Sequence, residues 1–239
     1  GGAIYNDTHG IIELGGTNTF SGNTADGVGN DIHNLGTITI ADGETTISGG
    51  ITGTGTLTVA DGAVLDIGTS TLQQGALDMQ GTLVAAIVNS DAFGKFDVDD
   101  FTIGDNAKLD LTLGAVGTYD LGIDIDLDQI TYNDTIYQVS VDGSDIIVGT
   151  KSVQDITKDT NLTTNSAAVL VGLMNSDNYS MNIASLNAQS ALASGDTEYV
   201  ENESKKMLPH HTPIAQSVAT SVQNQVLSVA ANRMSGASM

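Results

Sequence analysis

Three aspartates at every second residue, Asp124, Asp126 and Asp128 in LGIDIDLD, are the chain's first candidates for chemistry. On a strand this spacing places them on one face, where carboxylates and neighbouring carbonyls are the ligands calcium takes. The competing reading is an outward face whose charge keeps a strand soluble and blunts an edge, and that reading is preferred. The nonapeptide calcium repeat does not occur, and Gly27-Val-Gly-Asn-Asp31 is a faint echo of it. His210 and His211 stand between Pro209 and Pro213, but zinc needs two more ligands, and there is neither a cysteine nor a histidine four residues on. They read as a loop. His9 and His33 fall 24 residues apart in a repetitive region, which suggests that they stack without doing chemistry. No Gly-x-Ser-x-Gly nucleophile elbow is present. No catalytic residue, cofactor or bound metal is therefore expected.

The elements around these residues announce themselves by repetition. Gly36-Thr-Ile-Thr-Ile-Ala-Asp-Gly43 returns as Gly55-Thr-Leu-Thr-Val-Ala-Asp-Gly62, 19 residues later. Thr58 to Ile67 returns as Thr102 to Leu111, 44 residues later, or roughly two further periods of 22. Thr37-Ile-Thr-Ile40, Thr56-Leu-Thr-Val59 and Lys108-Leu-Asp-Leu-Thr-Leu113 alternate apolar and polar residues as half-buried strands do. Asp-Gly turns between them would suit antiparallel hairpins, but so short a period fits better a coil that returns to stack on itself. Each coil then buries Ile, Leu or Val on the one below, at a rise of roughly 4.8 Å. The expected fold is mainly β: a right-handed parallel β-helix, or solenoid, over 1–150, with six or seven rungs, followed by a C-terminal α-helical linker.

Composition agrees with thin stacked layers. The chain has 28 glycines, no Trp, no Cys and only 4% aromatic residues among its 239. Its 29 acids against 7 bases give a net charge of -22, and no Lys or Arg precedes Lys95. Nucleic acid and anionic membrane surfaces are thereby excluded as partners, since both require clustered bases. Without cysteines, an exported protein of this kind relies on its backbone ladder and apolar stack for stability. No run of 18 apolar residues marks a membrane helix. Starting at Gly1 without Met or a signal peptide, the chain reads as part of something longer.

Past residue 150 the pattern becomes helical. Ser166 to Leu173 and Met181 to Ala193 lack strand alternation, and Gly195-Asp196-Thr-Glu198 stops one helix and caps the next. The expected divisions are a linker at 151–211 and a last helix at 212–239. In that helix Thr212 caps, Pro213 opens, and Ile214, Val218, Val222, Val226 and Val229 form a stripe. Its other faces are polar and uncharged up to Arg233, including Asn224 and Asn232. On the order of 33 Å long, it would suit a water-lined tube about one membrane thick.

This order of parts resembles the C-terminal part of an autotransporter passenger, as found in type V secretion. Gly1-Gly-Ala-Ile4 and Phe20-Ser-Gly-Asn23 also resemble the GGA(I/L) and FxxN motifs of polymorphic outer-membrane proteins. The resemblance implies that Ile214, Val218, Val222, Asn224, Val226, Val229 and Asn232 thread the pore of the chain's own outer-membrane β-barrel, beginning after Met239. It further implies that 96–150, which holds Phe96, Phe101, Tyr119, Tyr132 and Tyr137, folds first and draws the rest outward. A role in pore-internal self-cleavage for Asn224 or Asn232 would need acids from the barrel. The implied location is the bacterial outer membrane, the cell surface or the secreted medium.

The leading expectation is thus a surface stalk that supports translocation and displays upstream modules. The alternative is an adhesin that binds host or sister-cell surfaces through rows of Thr and Asn on the rung faces. An enzyme of pectin-lyase-like shape is disfavoured: such lyases pair calcium-binding acids with a basic residue, and residues 1–94 contain neither Lys nor Arg.

Overall fold

The computed structural model describes residues 2–133, 135–176 and 179–208. Strands from Ile4 to Leu113 form a parallel β-solenoid of about five turns, and the stretch from Val153 to Met207 is helical. Strands Ile11–Leu14, Thr37–Ile40, Thr56–Val59, Thr71–Met79 and Lys95–Ile103 lie side by side in one sheet. Asn18–Phe20, Glu44–Ile47, Val64–Gly68, Thr82–Asn89 and Lys108–Leu113 form the facing sheet. The repeated phrase sets the register: Thr56 pairs with Thr37 and Val59 with Ile40, at the 19-residue period. The longer repeat spans two rungs, since Thr58 pairs with Asp78, and Asp78 with Thr102.

The Asp-Gly pairs turn the chain from one sheet to the other. Gly43 and Gly62 sit at φ of 67° and 78°, a left-handed conformation that glycine adopts without a Cβ penalty. A second corner requires glycine for a different reason. Gly10, Gly36, Gly55 and Gly75 stand in one column, and a Cβ on Gly55 would lie 2.4 Å from the Gly36 carbonyl oxygen. Coils can close to ladder distance there only without side chains: Thr56 N–H donates to Gly36 O at 2.8 Å, and Thr37 N–H to Gly10 O at 2.9 Å. Alongside runs an amide ladder. Asn6 donates to Asn34 at 2.8 Å, and Asn34 donates to Gln74 at 2.6 Å, all three buried.

Inside, apolar side chains stack in columns. Ile12, Ile38, Leu57, Leu77 and Phe101 form one, and Leu14, Ile40, Val59, Met79 and Ile103 a second. Ile38, Ile40, Leu57 and Val59 are fully buried, and each such side chain contributes roughly 1.5–3 kcal/mol. The outermost members Ile12 and Leu14 are only half-buried, because no coil covers them.

The expected six or seven rungs are about five. Two excursions lengthen the coils. The small hairpin Thr24–Ala25 and Val28–Gly29 stretches the first period to 26–28 residues. Ala92–Phe93 doubles back on Thr82–Asn89. Beyond Leu113 the solenoid stops. Leu121, Ile123 and Ile125 lie over the last coil, and Ile130–Tyr132 pairs with Leu109 to Leu111. Gly117–Asp120, Tyr137–Asp142 and Asp145–Thr150 then form a three-stranded antiparallel sheet that closes this end.

Among the described residues four helices follow: α1 Val153–Thr160, α2 Thr164–Met174, α3 Tyr179–Ala193 and α4 Thr197–Met207. Three begin at side-chain caps, with Ser152, Thr163 and Asp196 accepting from Asp155, Ser166 and Tyr199 N–H. Gly195, at φ 78°, ends α3 as its position before Asp196 suggests. The helix α1 falls inside 151–211, the stretch expected to be a helical linker. Ile156, Leu162, Ala167, Leu170 and Val200 belong to the same buried cluster as the solenoid core. Among the described residues, no helix is long and apolar enough to cross a membrane.

Candidate functional site

The outer face of the first sheet carries ordered polar rows, because alternation sends every second residue outward and register places like above like. Thr39 sits over Thr58, and Thr37 over Thr56, with Glu13 and Ile11 above and Asp78 and Ala76 below. Thr102 Oγ1 donates to Asp78 Oδ1 at 3.2 Å. A neighbouring row runs Tyr5, His33, Thr52, then Gln73 and Asp97. Tyr5, 63% exposed, stacks on His33 with ring centroids 5.4 Å apart and planes 21° from parallel. His33 Nδ1 lies 2.9 Å from Thr52 Oγ1, which also accepts from Asn30 Nδ2 at 2.8 Å. At the far end of the row, Gln73 Nε2 donates to Asp97 Oδ2 at 3.1 Å.

This row replaces the expected pairing of His9 with His33. His9 instead lies at a turn, its N–H donating to Asp7 and its ring to or from Thr8. The 24-residue spacing misled because the first coil is longer than the second, so Tyr5 is the residue that meets His33.

Asp124, Asp126 and Asp128 do not share a strand face. Residues 121–126 form an irregular segment, bent at Gly122 and outside any ladder, with Asp124 and Asp126 exposed between buried Leu121, Ile123 and Ile125. Asp128 falls in the short 3-10 helix Leu127–Gln129, which breaks the period of two, and its carbonyl accepts from Lys108 Nζ at 2.7 Å. Among the described residues, no three of His, Cys, Asp and Glu converge on a point where a metal could bind. The pore-helix residues Ile214, Val218, Val222, Asn224, Val226, Val229 and Asn232, with His210 and His211, lie outside the described residues.

The closed end contains several groups whose surroundings shift their titration. Burial pushes the Tyr137 hydroxyl far above its ordinary pKa, and that hydroxyl donates to Gln189 Oε1 of α3 at 2.8 Å. Tyr119, raised by the same cause, donates to Val116 O at 3.2 Å and meets Phe93 edge-on at 5.4 Å. Both are neutral donors: Tyr137 ties the cap to α3, and Tyr119 fastens the loop just before its own strand. Glu201 of α4 reaches the start of α2, accepting from Thr163 N–H at 2.6 Å and from the Ser166 hydroxyl at 2.9 Å. Burial alone would raise its pKa. The hydrogen bonds from Thr163 and Ser166, helped by Lys205, hold it below the usual value.

The arrangement is one of surfaces: a regular polar face along the solenoid, an open coil at one end and a tied closure at the other. Compared with family models, with curated proteins and with solved structures, the chain gives no match to any of them.

Proposed function

We propose that this chain is a surface-displayed β-helical stalk of the autotransporter kind, acting mechanically and not as an enzyme. The observation that carries the reading is the difference between the solenoid's two ends. At the first coil, Ile4, Ile12, Leu14 and Phe20 are only half-covered, which suits a stack onto which upstream modules continue. At the other end, the antiparallel sheet and four helices cover the core, as suits the end nearest a membrane anchor. In this reading 96–150 is the folding nucleus, 151–211 the linker, and 212–239 the segment that threads the β-barrel of the outer membrane. Folding that begins at the closed end and propagates coil by coil would draw the chain outward without ATP, since each coil is stabilised chiefly by its neighbours.

The test is to join the chain to an outer-membrane β-barrel translocator, delete 96–150, and follow surface exposure by protease accessibility on intact cells. Retention of the deleted passenger in the periplasm is the expected result. Normal surface display would refute the nucleus.

A second reading, adhesion through the outer face, is favoured by the stacked Thr37–Thr56 and Thr39–Thr58 rows and by the exposed Tyr5–His33 stack. Beads coated with the chain would then capture host or sister cells, and replacing Tyr5 and His33 by Ala would reduce capture.

A further inference from the structure

A cleft of about 600 Å³ lies where the last full coil, the cap and the helices meet, within the size range of small-ligand sites. One wall is Val88, Asn89 and Ser90, at the end of a coil strand. The opposite walls are the loop 114–118 and the side chains of Leu186 and Gln189 on α3. In a chain with 29 acidic residues, none of the described residues that line it is Asp, Glu, Lys, Arg or His. Its frame is tied in place: Tyr137 donates to Gln189 Oε1 at 2.8 Å, and Gln189 Nε2 donates to Ser185 Oγ at 2.9 Å.

We infer that this cleft binds an uncharged saccharide, a short neutral oligosaccharide in particular. An anion would enter against a net charge of -22 and find no cation among the described lining residues. A cation would meet no carboxylate among the described lining residues, while acids abound on the outer face. A purely apolar ligand would dehydrate the Asn89 amide and the Ser90 and Thr118 hydroxyls without replacing the hydrogen bonds they make to water. Among the described residues, Asn89 Nδ2, Ser90 Oγ and Thr118 Oγ1 have no protein hydrogen-bond partner, although Asn89 Oδ1 is held by Asp91 N–H at 2.8 Å. Val88 and Leu186, 46% and 41% exposed, are apolar surfaces on which the C–H face of a sugar ring rests. Donors and acceptors at the rim with aliphatic patches between them match the alternating hydroxyl and C–H surface of a saccharide. The inference stands independently of the stalk reading, since it needs only the junction itself.

The test is a calorimetric titration of the full chain with maltotriose, cellotriose and N,N′-diacetylchitobiose, with trigalacturonate as the charged counterpart. At least one neutral probe is expected to bind saturably with a Kd below about 10 mM. The N89A/S90A pair should weaken that binding about tenfold or more, and T118W, which fills the cleft from the opposite wall, should abolish it. Circular dichroism checks that each variant keeps its fold, and T118W carries the same test if the pair does not fold. The inference is overturned if no neutral probe binds, if both variants bind unchanged, or if trigalacturonate binds as well as the neutral sugars.

Discussion

Asn34 Nδ2 lies 2.6 Å from Gln74 Oε1, joining two buried amides that are 40 residues apart in sequence. Asn34 also donates to Thr56 O at 3.1 Å and accepts from Gly36 N–H at 3.2 Å, so one side chain links three coils at a corner. Replacing Asn34 by Ala leaves the Gln74 acceptor and the Gly36 donor buried without partners. The expected cost is about 2–4 kcal/mol, measured by urea denaturation. A loss within about 0.5 kcal/mol would mean that water takes over the ladder.

The glycine column beside that ladder makes a sharper distinction. Gly55→Ala drives a methyl against the Gly36 carbonyl at 2.4 Å, a backbone contact that cannot yield without parting the coils. Gly62→Ala has nothing within 4 Å and suffers only its left-handed φ, worth about 1–2 kcal/mol. Gly55→Ala should therefore be the more destabilising. In α2 the sign reverses: Gly172 is exposed with open space around it, so Gly172→Ala should stabilise by up to about 1 kcal/mol.

Stacking predicts a gradient along each apolar column. Ile38→Ala, in a fully buried position with neighbours on both sides, should cost about 2–5 kcal/mol. Ile12→Ala, in the same column but half-covered, should cost under about 2 kcal/mol. Equal losses would show that the first coil is covered in solution.

Glu201 supplies a pH dependence. Its folded pKa is depressed by the Thr163 and Ser166 hydrogen bonds, so its contribution is present above the unfolded value near 4.5. That contribution is lost as the pH falls through the lower folded value. Glu201→Gln should lower the melting temperature at pH 7, with the gap to the parent chain closing towards pH 3. An equal gap at both values would place the loss in packing and not in charge.

Much of this fold was legible in the sequence because strand alternation and register share one cause. The phrase at 36–43 and 55–62 repeats because those residues stack, and the 19-residue period reads directly as Thr37 paired with Thr56. The change of pattern near 150 likewise marks the last strand, Asp145–Thr150. What stayed hidden is polar or irregular. Asn6, Asn34 and Gln74 look like surface residues until the coils bring them together, since a buried amide carries no mark of its partner in sequence. The hairpin at 24–29 shifted the phase, so His33 met Tyr5 instead of His9. Asp128 left the expected acidic face because a 3-10 turn interrupts the alternation that Asp124 and Asp126 begin. The uncharged cleft draws on residues as distant as Val88 and Gln189, and no local motif connects them.

The central claim, a stack that folds from its closed end, is tested most directly by pulsed hydrogen exchange during refolding of the full chain. The account predicts that amides of 95–150 gain protection first, followed in turn by Thr71–Met79, Thr56–Val59, Thr37–Ile40 and finally Ile11–Leu14. Simultaneous protection of all coils, or protection beginning at Ile11–Leu14, would contradict it.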